Sequence, residues 1–332
     1  MKQSIIIASA VLAALLCQSC AKKPDIGKNE ANKRYLESWI RIYHPEAKED
    51  GNGIYILDEA AGSGRAIGDA QKYPYASISY TKRDLDGNIV ETTFADVAQQ
   101  IGTYDPSYYY GPKFVLRRQN SLSAGLEKLL NEMNVGDTKT AVIPGWYDTV
   151  QYRFEKDSDY FDLITGNDYI YTLTLHDSFE NLEDIQIDSI ENYIRRNLNV
   201  PADSVKVGYY YIQTQAPTDT TTIEKSGTVY VNYTGRLLNG TIFDTTDENT
   251  AKDAGLYMRG KAYEPYGVTL EEDFREMDTV QGFSYCVSNM KKGEKGICIF
   301  YSNFGYGSSD QSTIPSFSPL RFDIEMIGTT KK

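Results

Sequence analysis

The chain has 332 residues, a formal net charge of −12 and two histidines, His44 and His176. This length suits two domains of ordinary size, and the negative charge argues against nucleic acid or an anionic lipid surface as a partner, since both reward clustered lysine and arginine. Because histidine and cysteine are not arranged at the spacing of metal ligands, we discount zinc chemistry and histidine-dependent triads and expect neither a metal nor a cofactor.

The N-terminus has the pattern of a secretory signal. The apolar stretch at residues 5–16 follows a lysine and is too short to span a bilayer as a mature helix. Ser19 precedes Cys20, as in the lipidation site of bacterial lipoproteins, although Cys17 stands where such signals usually have leucine. We expect residues 1–20 to be a lipoprotein signal and Cys20 to carry a lipid that attaches the chain to a membrane; cleavage and release is the alternative. Either outcome takes the chain out of the cytoplasm, and we expect it on the periplasmic side of a bacterial outer membrane, with exposure on the cell surface as the alternative.

The rest of the chain contains an internal repeat. Residues 35–47 and 190–202 each have an apolar stripe at helical spacing, end near a proline and are followed by a glycine and a strand-like run. Further on, "YASISYTKRDLDGNIVETT" parallels "TVYVNYTGRLLNGTIFDTT". The aligned positions are Tyr80 with Tyr233, Gly87 with Gly240, Gly125 with Gly282, Met133 with Met290, and Gly136 with Gly293.

The repeat predicts two units of one fold. Alternating apolar residues in "TVYVNY", the turn dipeptide Asn-Gly and the run "TIF" predict a hairpin in the second copy. The order of strands, hairpin, short helix and further strands predicts an antiparallel sheet wrapped on one short helix, which is an α+β arrangement. We place the first unit at residues 30–178 and the second at residues 183–330. Each begins with an extra helix that is either docked on its unit or a spacer, and residues 244–253 are predicted to be an exposed polar loop.

Two cysteines remain after the signal segment. Cys286 and Cys298 both lie in apolar surroundings, "FSYCVSNM" and "GICIF". Because a buried free cysteine behaves as a small hydrophobic residue, we expect two core thiols. A structural disulfide is the alternative, since disulfides persist outside the cytoplasm.

Four separated motifs follow one another in the second unit. The segment "VYVNYTGRLLNGTIFDTT" is similar to the pattern Y-T-G-x-L-x-x-G-x-x-F-D-[ST]-[ST], and "VQGFSYCVSNMKKGEK" is similar to V-I-x-G-W-x-x-x-L-x-x-M-x-x-G-E-[KR]. The segment "NFGYG" is similar to a Y-G loop, and "TIPSFSPLRFDIEMI" to I-P-x-x-x-x-L-x-F-D-[VI]-E-L. In this order the four motifs resemble the FKBP family of peptidyl-prolyl cis-trans isomerases.

The resemblance implies that the second unit is a peptidyl-prolyl isomerase with an apolar pocket for the proline of a polypeptide. It implies that the Tyr306 hydroxyl and the Val280 backbone N–H hold carbonyls beside the proline, and that Asp244 at the rim holds substrate or orients Tyr233. Desolvation and twisting of the amide would carry the reaction, with no role for a general base. The residues that the resemblance places in the pocket are Tyr233, Phe243, Asp244, Val280, Phe283, Tyr306, Ile314 and Phe322.

The second unit also departs from the family pattern. Phe283 replaces the usual tryptophan of the pocket floor, and Thr313 replaces the first of two isoleucines in the last loop. The segment at residues 263–278 differs so much that either Tyr263 or Tyr266 could supply a further ring. These departures bear on the efficiency of the site more than on its location.

The first unit has lost most of these residues, and Tyr80 is the one clear match. We therefore expect it to keep the fold, to be inactive, and to hold clients or form homo-oligomers. Its aromatic insert at residues 107–114 and its long loop at residues 146–169 either contact a partner or pack locally. The exchanged pairs are Val90 for Phe243, Glu91 for Asp244, Ser123 for Val280, Leu126 for Phe283, and Tyr171 for Phe322.

Two functions are consistent with these observations. The first is a lipid-anchored prolyl isomerase that assists the folding of exported proteins, with proline-containing polypeptides as its partners. The second is a non-catalytic chaperone or binding protein that retains the fold and a shallow apolar groove. The pocket residues retained in the second unit favour the enzyme.

Overall fold

The computed structural model describes residues 28–117, 122–219, 223 and 227–329. The predicted signal segment and Cys20 lie outside this range. Two seven-stranded antiparallel sheets make up the framework, with helices packed on them. Within the described residues, every helix is too short or too polar to cross a bilayer.

The first sheet lies in the N-terminal half of the chain. In chain order its elements are α1 (Lys28–Tyr43), β1 (Lys48–Glu49), β2 (Tyr55–Ala60), β3 (Tyr75–Arg83), β4 (Ile89–Thr92), α2 (Ala95–Gln100), β5 (Lys113–Leu116), α3 (Ala124–Asn131), β6 (Thr138–Ile143), α4 (Asp157–Leu163) and β7 (Tyr169–Phe179). The strand order is β1-β2-β6-β7-β3-β4, and β5 pairs with β3.

The second sheet repeats this order. In chain order its elements are α5 (Leu182–Tyr193), β8 (Ser204–Lys206), β9 (Tyr209–Gln215), β10 (Thr228–Leu237), β11 (Ile242–Thr245), α6 (Glu248–Asp253), β12 (Tyr266–Thr269), α7 (Gln281–Asn289), β13 (Lys295–Phe300) and β14 (Leu320–Gly328). The strand order is β8-β9-β13-β14-β10-β11, and β12 pairs with β10. Each strand therefore has a counterpart in the first sheet, and the predicted α+β fold is confirmed.

A short helix buries its apolar stripe against each sheet. In α3 the stripe includes Leu126 and Leu130, and in α7 it includes Phe283 and Val287, all within the main core clusters. Burial of each such side chain contributes about 1.5–3 kcal/mol, so these two helices are major sources of core stability.

The extra helices are docked on the opposite sheet faces. Leu36 and Ile40 of α1 pack with Val142, which lies on β6. Ile190 of α5 packs in the same way with Ile299 of β13. Of the two alternatives left by the sequence, docking is correct, and each sheet is covered on both faces.

The predicted hairpin is formed by β10 and β11. Gly235 of β10 pairs with Asp244 of β11, and a register shift follows immediately. Gly240 in the turn has φ +96°, which is the left-handed region that glycine adopts without penalty. The hairpin therefore brings the residues before and after the turn onto one wall of the second sheet.

One predicted loop is wrong. Residues 244–253 were expected to be an exposed polar loop, but they contain α6. The side chain of Asp247 accepts a hydrogen bond of 2.7 Å from the backbone N–H of Thr250, and this cap stabilises the first turn. Asp247 is thus a helix cap, a role that composition alone does not reveal.

The two cysteines of the second unit are core thiols, as the sequence predicted. Cys286 and Cys298 are both free thiols, and both are buried in the core between α7 and the second sheet. The alternative of a disulfide is wrong.

The two aromatic segments of the first unit behave differently. Trp146, Tyr147 and Tyr160 of the long loop are buried in the first core, so that loop packs locally. In the insert at residues 107–114, by contrast, Tyr109 packs against the core of the second sheet. Of these two segments, the insert is therefore the one that contacts the second unit.

Candidate functional site

A cavity of about 600 Å³ opens between α7, the hairpin and the loop before β14. We call it the aromatic cavity. All eight residues that the sequence placed in a pocket line it: Tyr233, Phe243, Asp244, Val280, Phe283, Tyr306, Ile314 and Phe322. The structure thus brings together residues that lie up to 89 positions apart in the sequence, and their roles remain predictions.

Phe283 forms the floor of the aromatic cavity. It lies in the first turn of α7 and is 3 % exposed. Its ring centroid is 5.0 Å from that of Phe322 and 5.3 Å from that of Tyr233, both with edge-to-face geometry. Each such pair contributes about 0.5–1.5 kcal/mol beyond area burial, so the floor and two walls form one packed unit.

Phe243 closes the cavity from the hairpin. Its ring lies over Gly235, where a Cβ atom would be 2.4 Å from the nearest ring carbon. The same ring is 5.4 Å from Phe322, again edge to face. Because Gly235 has no side chain, the ring of Phe243 can pack over it and line the cavity.

Asp244 is held at the rim by two side chains. One oxygen accepts a hydrogen bond from the Tyr233 hydroxyl, and the other lies 3.1 Å from Nζ of Lys261. Burial, this hydrogen bond and the charge of Asp244 raise the pKa of Tyr233 above its ordinary value, so its hydroxyl stays protonated. The carboxylate thus fixes the orientation of the Tyr233 hydroxyl, and a role toward the substrate stays a prediction.

Polar groups lie at the mouth of the cavity. Tyr306 is 36 % exposed, and burial together with the charge of Asp244 raises the pKa of its hydroxyl. Val280 directly precedes α7, and the first turn of a helix has backbone N–H groups without intrahelical partners. Both positions can therefore donate hydrogen bonds to the carbonyls of a peptide.

Sequence reasoning missed several lining residues. Of the two tyrosines left open, Tyr266 lines the cavity with its ring 6.0 Å from Tyr233, whereas Tyr263 stacks on Tyr257. Thr313, which the sequence analysis placed in the last loop, lines the cavity as well, and the residues without a prior assignment are Asp278, Thr279 and Gln311. The first two adjoin Val280, which was a usable signal, but nothing in the sequence pointed to Gln311.

The first unit has a polar network in the corresponding place. Tyr80 donates a hydrogen bond of 2.5 Å to Glu91, as Tyr233 does to Asp244. The hydroxyl of Tyr171, the counterpart of Phe322, lies 3.3 Å from Asp148, and this carboxylate lies 3.0 Å from Nζ of Lys82. The rim pair is therefore kept, while an apolar wall is replaced by hydrogen-bonding groups.

The aromatic cavity can bind a small apolar ring and exclude water from its floor. Its lining residues include neither cysteine nor histidine, and its donors lie at the rim rather than at the bottom. The second unit therefore belongs to the class of α+β proteins in which an antiparallel sheet wraps on one short helix, with a cavity lined by aromatic rings between them.

Comparison with known proteins identifies the family. The family model for FKBP-type peptidyl-prolyl cis-trans isomerases matches residues 219–327. FK506-binding protein 2 of Dictyostelium discoideum is 32% identical over 130 residues, which cover 39% of this chain and 82% of that protein. The chain belongs to the FKBP-type peptidyl-prolyl cis-trans isomerase family. The family and enzyme class that the four motifs predicted are thus confirmed.

Two further proteins are similar over part of their length. The isomerase FkpA of Buchnera aphidicola is 35% identical over 103 residues, which cover 31% of this chain and 33% of that protein. The chain thus spans about a third of the length of this curated relative. The crystal structure of FkpA from Escherichia coli is 22% identical, with a TM-score of 0.33 and coverage of 45% of this chain and 61% of that one.

Proposed function

We propose that the second unit isomerises X-Pro bonds of exported polypeptides, with the aromatic cavity as its active site. One observation carries the proposal: all eight predicted residues line a single ring-walled cavity, and all of them lie within the segment that the family model matches. A proline ring is the apolar group of a peptide that fits a floor and walls made of aromatic rings.

The reaction needs a change of environment rather than a nucleophile. Rotation about an X-Pro bond has a barrier of roughly 18–20 kcal/mol because twisting destroys the amide resonance. The twisted amide has a smaller charge separation than the planar one. An apolar site from which water is excluded therefore stabilises the transition state relative to the bound substrate, which is the condition for acceleration.

We assign each residue of the cavity a role in binding or orienting the peptide. The proline ring packs on Phe283 between Tyr233 and Phe322. The Tyr306 hydroxyl and the Val280 N–H donate hydrogen bonds to the carbonyls on either side of the bond and so hold it as it twists. Asp244 keeps Tyr233 in place, and no proton is transferred.

We expect the full chain, produced without its signal segment, to accelerate cis-to-trans exchange in X-Pro peptides. Tyr306→Phe removes one hydrogen bond to the substrate, worth about 0.5–1.5 kcal/mol, and should lower kcat/KM roughly two- to ten-fold. Tyr257→Phe is the matched control, because Tyr257 is exposed and lies outside the cavity. The measurement is exchange kinetics by NMR or a protease-coupled assay.

The same assay distinguishes an isomerase from a non-catalytic chaperone or binding protein. Acceleration that is insensitive to Tyr306→Phe would contradict the role given to this hydroxyl. Absence of acceleration for every residue X tested, in a folded chain that still binds the peptides, would favour a non-catalytic chaperone or binding protein.

The proposal includes a lipid on Cys20 and a place in the cell envelope. It is supported by the apolar segment and by the Ser19-Cys20 pair. We expect Cys20→Ala to move the protein from the membrane fraction to the soluble fraction, because a lipid chain contributes about 0.8 kcal/mol per buried CH₂. Cys17→Ala is the control and should leave the protein in the membrane fraction. Release by Cys17→Ala but not by Cys20→Ala would refute the assignment.

A further inference from the structure

The first unit contacts the loop that walls the aromatic cavity. We call residues 306–319 the wall loop. Phe317 of this loop is buried, and its ring is 5.5 Å from that of Tyr75 on β3, edge to face. Phe317 has φ +60°, a region that bulky residues rarely adopt, so its conformation depends on the packing around it. Part of that packing comes from the first unit.

The wall loop is also braced from within. Gln311 and Ile314 exchange backbone hydrogen bonds of 2.9 and 3.1 Å, and the N–H of Phe317 donates to the carbonyl of Gly307 at 2.7 Å. Ile314 is buried, whereas Gln311 and Ser312 are exposed. The loop is therefore a fixed partition with one side on the aromatic cavity.

A second cavity of about 300 Å³ lies on the other side of this partition. We call it the inter-unit cleft. The first unit contributes Tyr108, Tyr109 and Lys113, and the second contributes residues 310–313 and Pro315. A volume of this size holds one large side chain with its backbone amide, and is too small for a folded partner.

The two cavities share part of their lining. Gln311 and Thr313 line both the aromatic cavity and the inter-unit cleft. An extended chain advances by about 3.3 Å per residue, so roughly three residues cover about 10 Å, a length comparable with a partition whose own residues line both cavities. This continuity points to the same client chain, and not to a second ligand, as the occupant of the cleft.

The chemistry of the cleft suits an aromatic or large apolar side chain. Tyrosine rings and Pro315 supply flat apolar surface, and Ser312 and Thr313 supply hydroxyls for a backbone amide. Nζ of Lys113 donates to the Tyr108 hydroxyl at 2.8 Å and lies 3.6 Å from Glu91. Lys113 is paired with Glu91 and also interacts electrostatically with Asp310, the other charged residue of the cleft. Because these charges offset one another, neither residue singles out a charged client side chain.

We propose that the inter-unit cleft is a subsite for a client residue near the proline, and that it selects aromatic or large apolar side chains. The first unit would thus take part in client binding through its insert rather than through its own lost pocket. This inference rests on the proposed function of the second unit.

The test compares peptides of about ten residues with one Ala-Pro bond. Phenylalanine is placed roughly three residues before or after the proline, and matched peptides have alanine there. For the full chain we expect kcat/KM to favour the better phenylalanine peptide over its alanine match by roughly ten-fold, as one buried aromatic contact allows. This ratio should fall to about two in Tyr108→Ala. The ratio should also fall to about two in Ser312→Trp, because the larger side chain fills the cleft from an exposed position.

Tyr104→Ala is the matched control within the same part of the first unit, because Tyr104 is exposed and lies outside the cleft, and it should keep the ten-fold ratio. A ratio near one in the unchanged chain, or a ratio that neither Tyr108→Ala nor Ser312→Trp lowers, would overturn the subsite. Failure of the proposed function would look different from failure of the subsite, because even the alanine peptide would then not be isomerised. In that case the ratio of the Kd values of the two peptides, measured by fluorescence anisotropy, would test the cleft.

Discussion

Replacement of Phe283 by alanine is expected to lower kcat/KM for X-Pro exchange by roughly 30-fold. The substrate loses the ring on which its proline packs, and water gains access to the floor between Tyr233 and Phe322. A loss of about 2 kcal/mol for a buried ring contact corresponds to a factor of that size. Exchange kinetics on one X-Pro peptide would measure it.

Two variants control for the loss of a core ring. Phe283→Leu keeps an apolar floor and reproduces Leu126 of the first unit, so we expect an effect of about five-fold. Phe274→Ala removes a half-buried ring that packs on Tyr285 outside the cavity, and its rate should stay within about two-fold. Circular dichroism must show each variant folded, because Phe283→Ala also destabilises the core. Equal exchange rates for Phe283→Ala and Phe274→Ala would contradict the role of Phe283 as the ring on which the proline packs.

Gly282→Ala is expected to lower the free energy of unfolding by about 2 kcal/mol. A Cβ atom at this position would lie 2.4–2.5 Å from three ring carbons of Phe300, which is fully buried. That ring stacks between Tyr209 at 6.0 Å and Phe322 at 5.8 Å, so it has no room to move. The steric cost exceeds the gain of at most about 1 kcal/mol in helix propensity.

Urea unfolding can assign this loss to one sheet. Both tryptophans, Trp39 and Trp146, lie in the first unit, so tryptophan fluorescence reports on that unit while far-UV circular dichroism reports on both. Gly282→Ala should shift the dichroism transition more than the fluorescence transition. Gly227→Ala is the control, because its Cβ would meet no atom within 4 Å. A fluorescence shift as large as the dichroism shift would mean that the two sheets unfold together.

Local patterns predicted much of the architecture. The repeat, the Asn-Gly hairpin and the apolar stripe of α7 depend on residues close in sequence, and each is present. The lining of the aromatic cavity was predicted from the resemblance to a family, because each of the four motifs contributes some of the lining residues. Alternation and helical spacing alone would have assigned Phe243 or Phe322 to an ordinary core.

Contacts between distant segments were not predictable in this way. The position of Tyr109 against the second core depends on how two sheets pack, which no periodicity encodes. The pairing of Lys82 with Asp148 joins residues 66 positions apart, and the exposed Gln311 became a lining residue only through the turn of the wall loop. Long-range polar contacts therefore mark the limit of what the sequence showed.

The duplication also acts as a natural comparison within one molecule. Both copies keep a tyrosine bonded to a carboxylate at the hairpin, and in both a carboxylate of the turn after the short helix, Asp137 or Glu294, accepts from the backbone N–H three residues earlier. The copies differ at the floor, where Leu126 stands for Phe283, and at two walls, where Val90 and Tyr171 stand for Phe243 and Phe322. The hydrogen bond of Tyr233 with Asp244 joins β10 to β11, and that of Tyr80 with Glu91 joins β3 to β4, so this bond is a clasp on the hairpin that does not depend on the lining of the cavity.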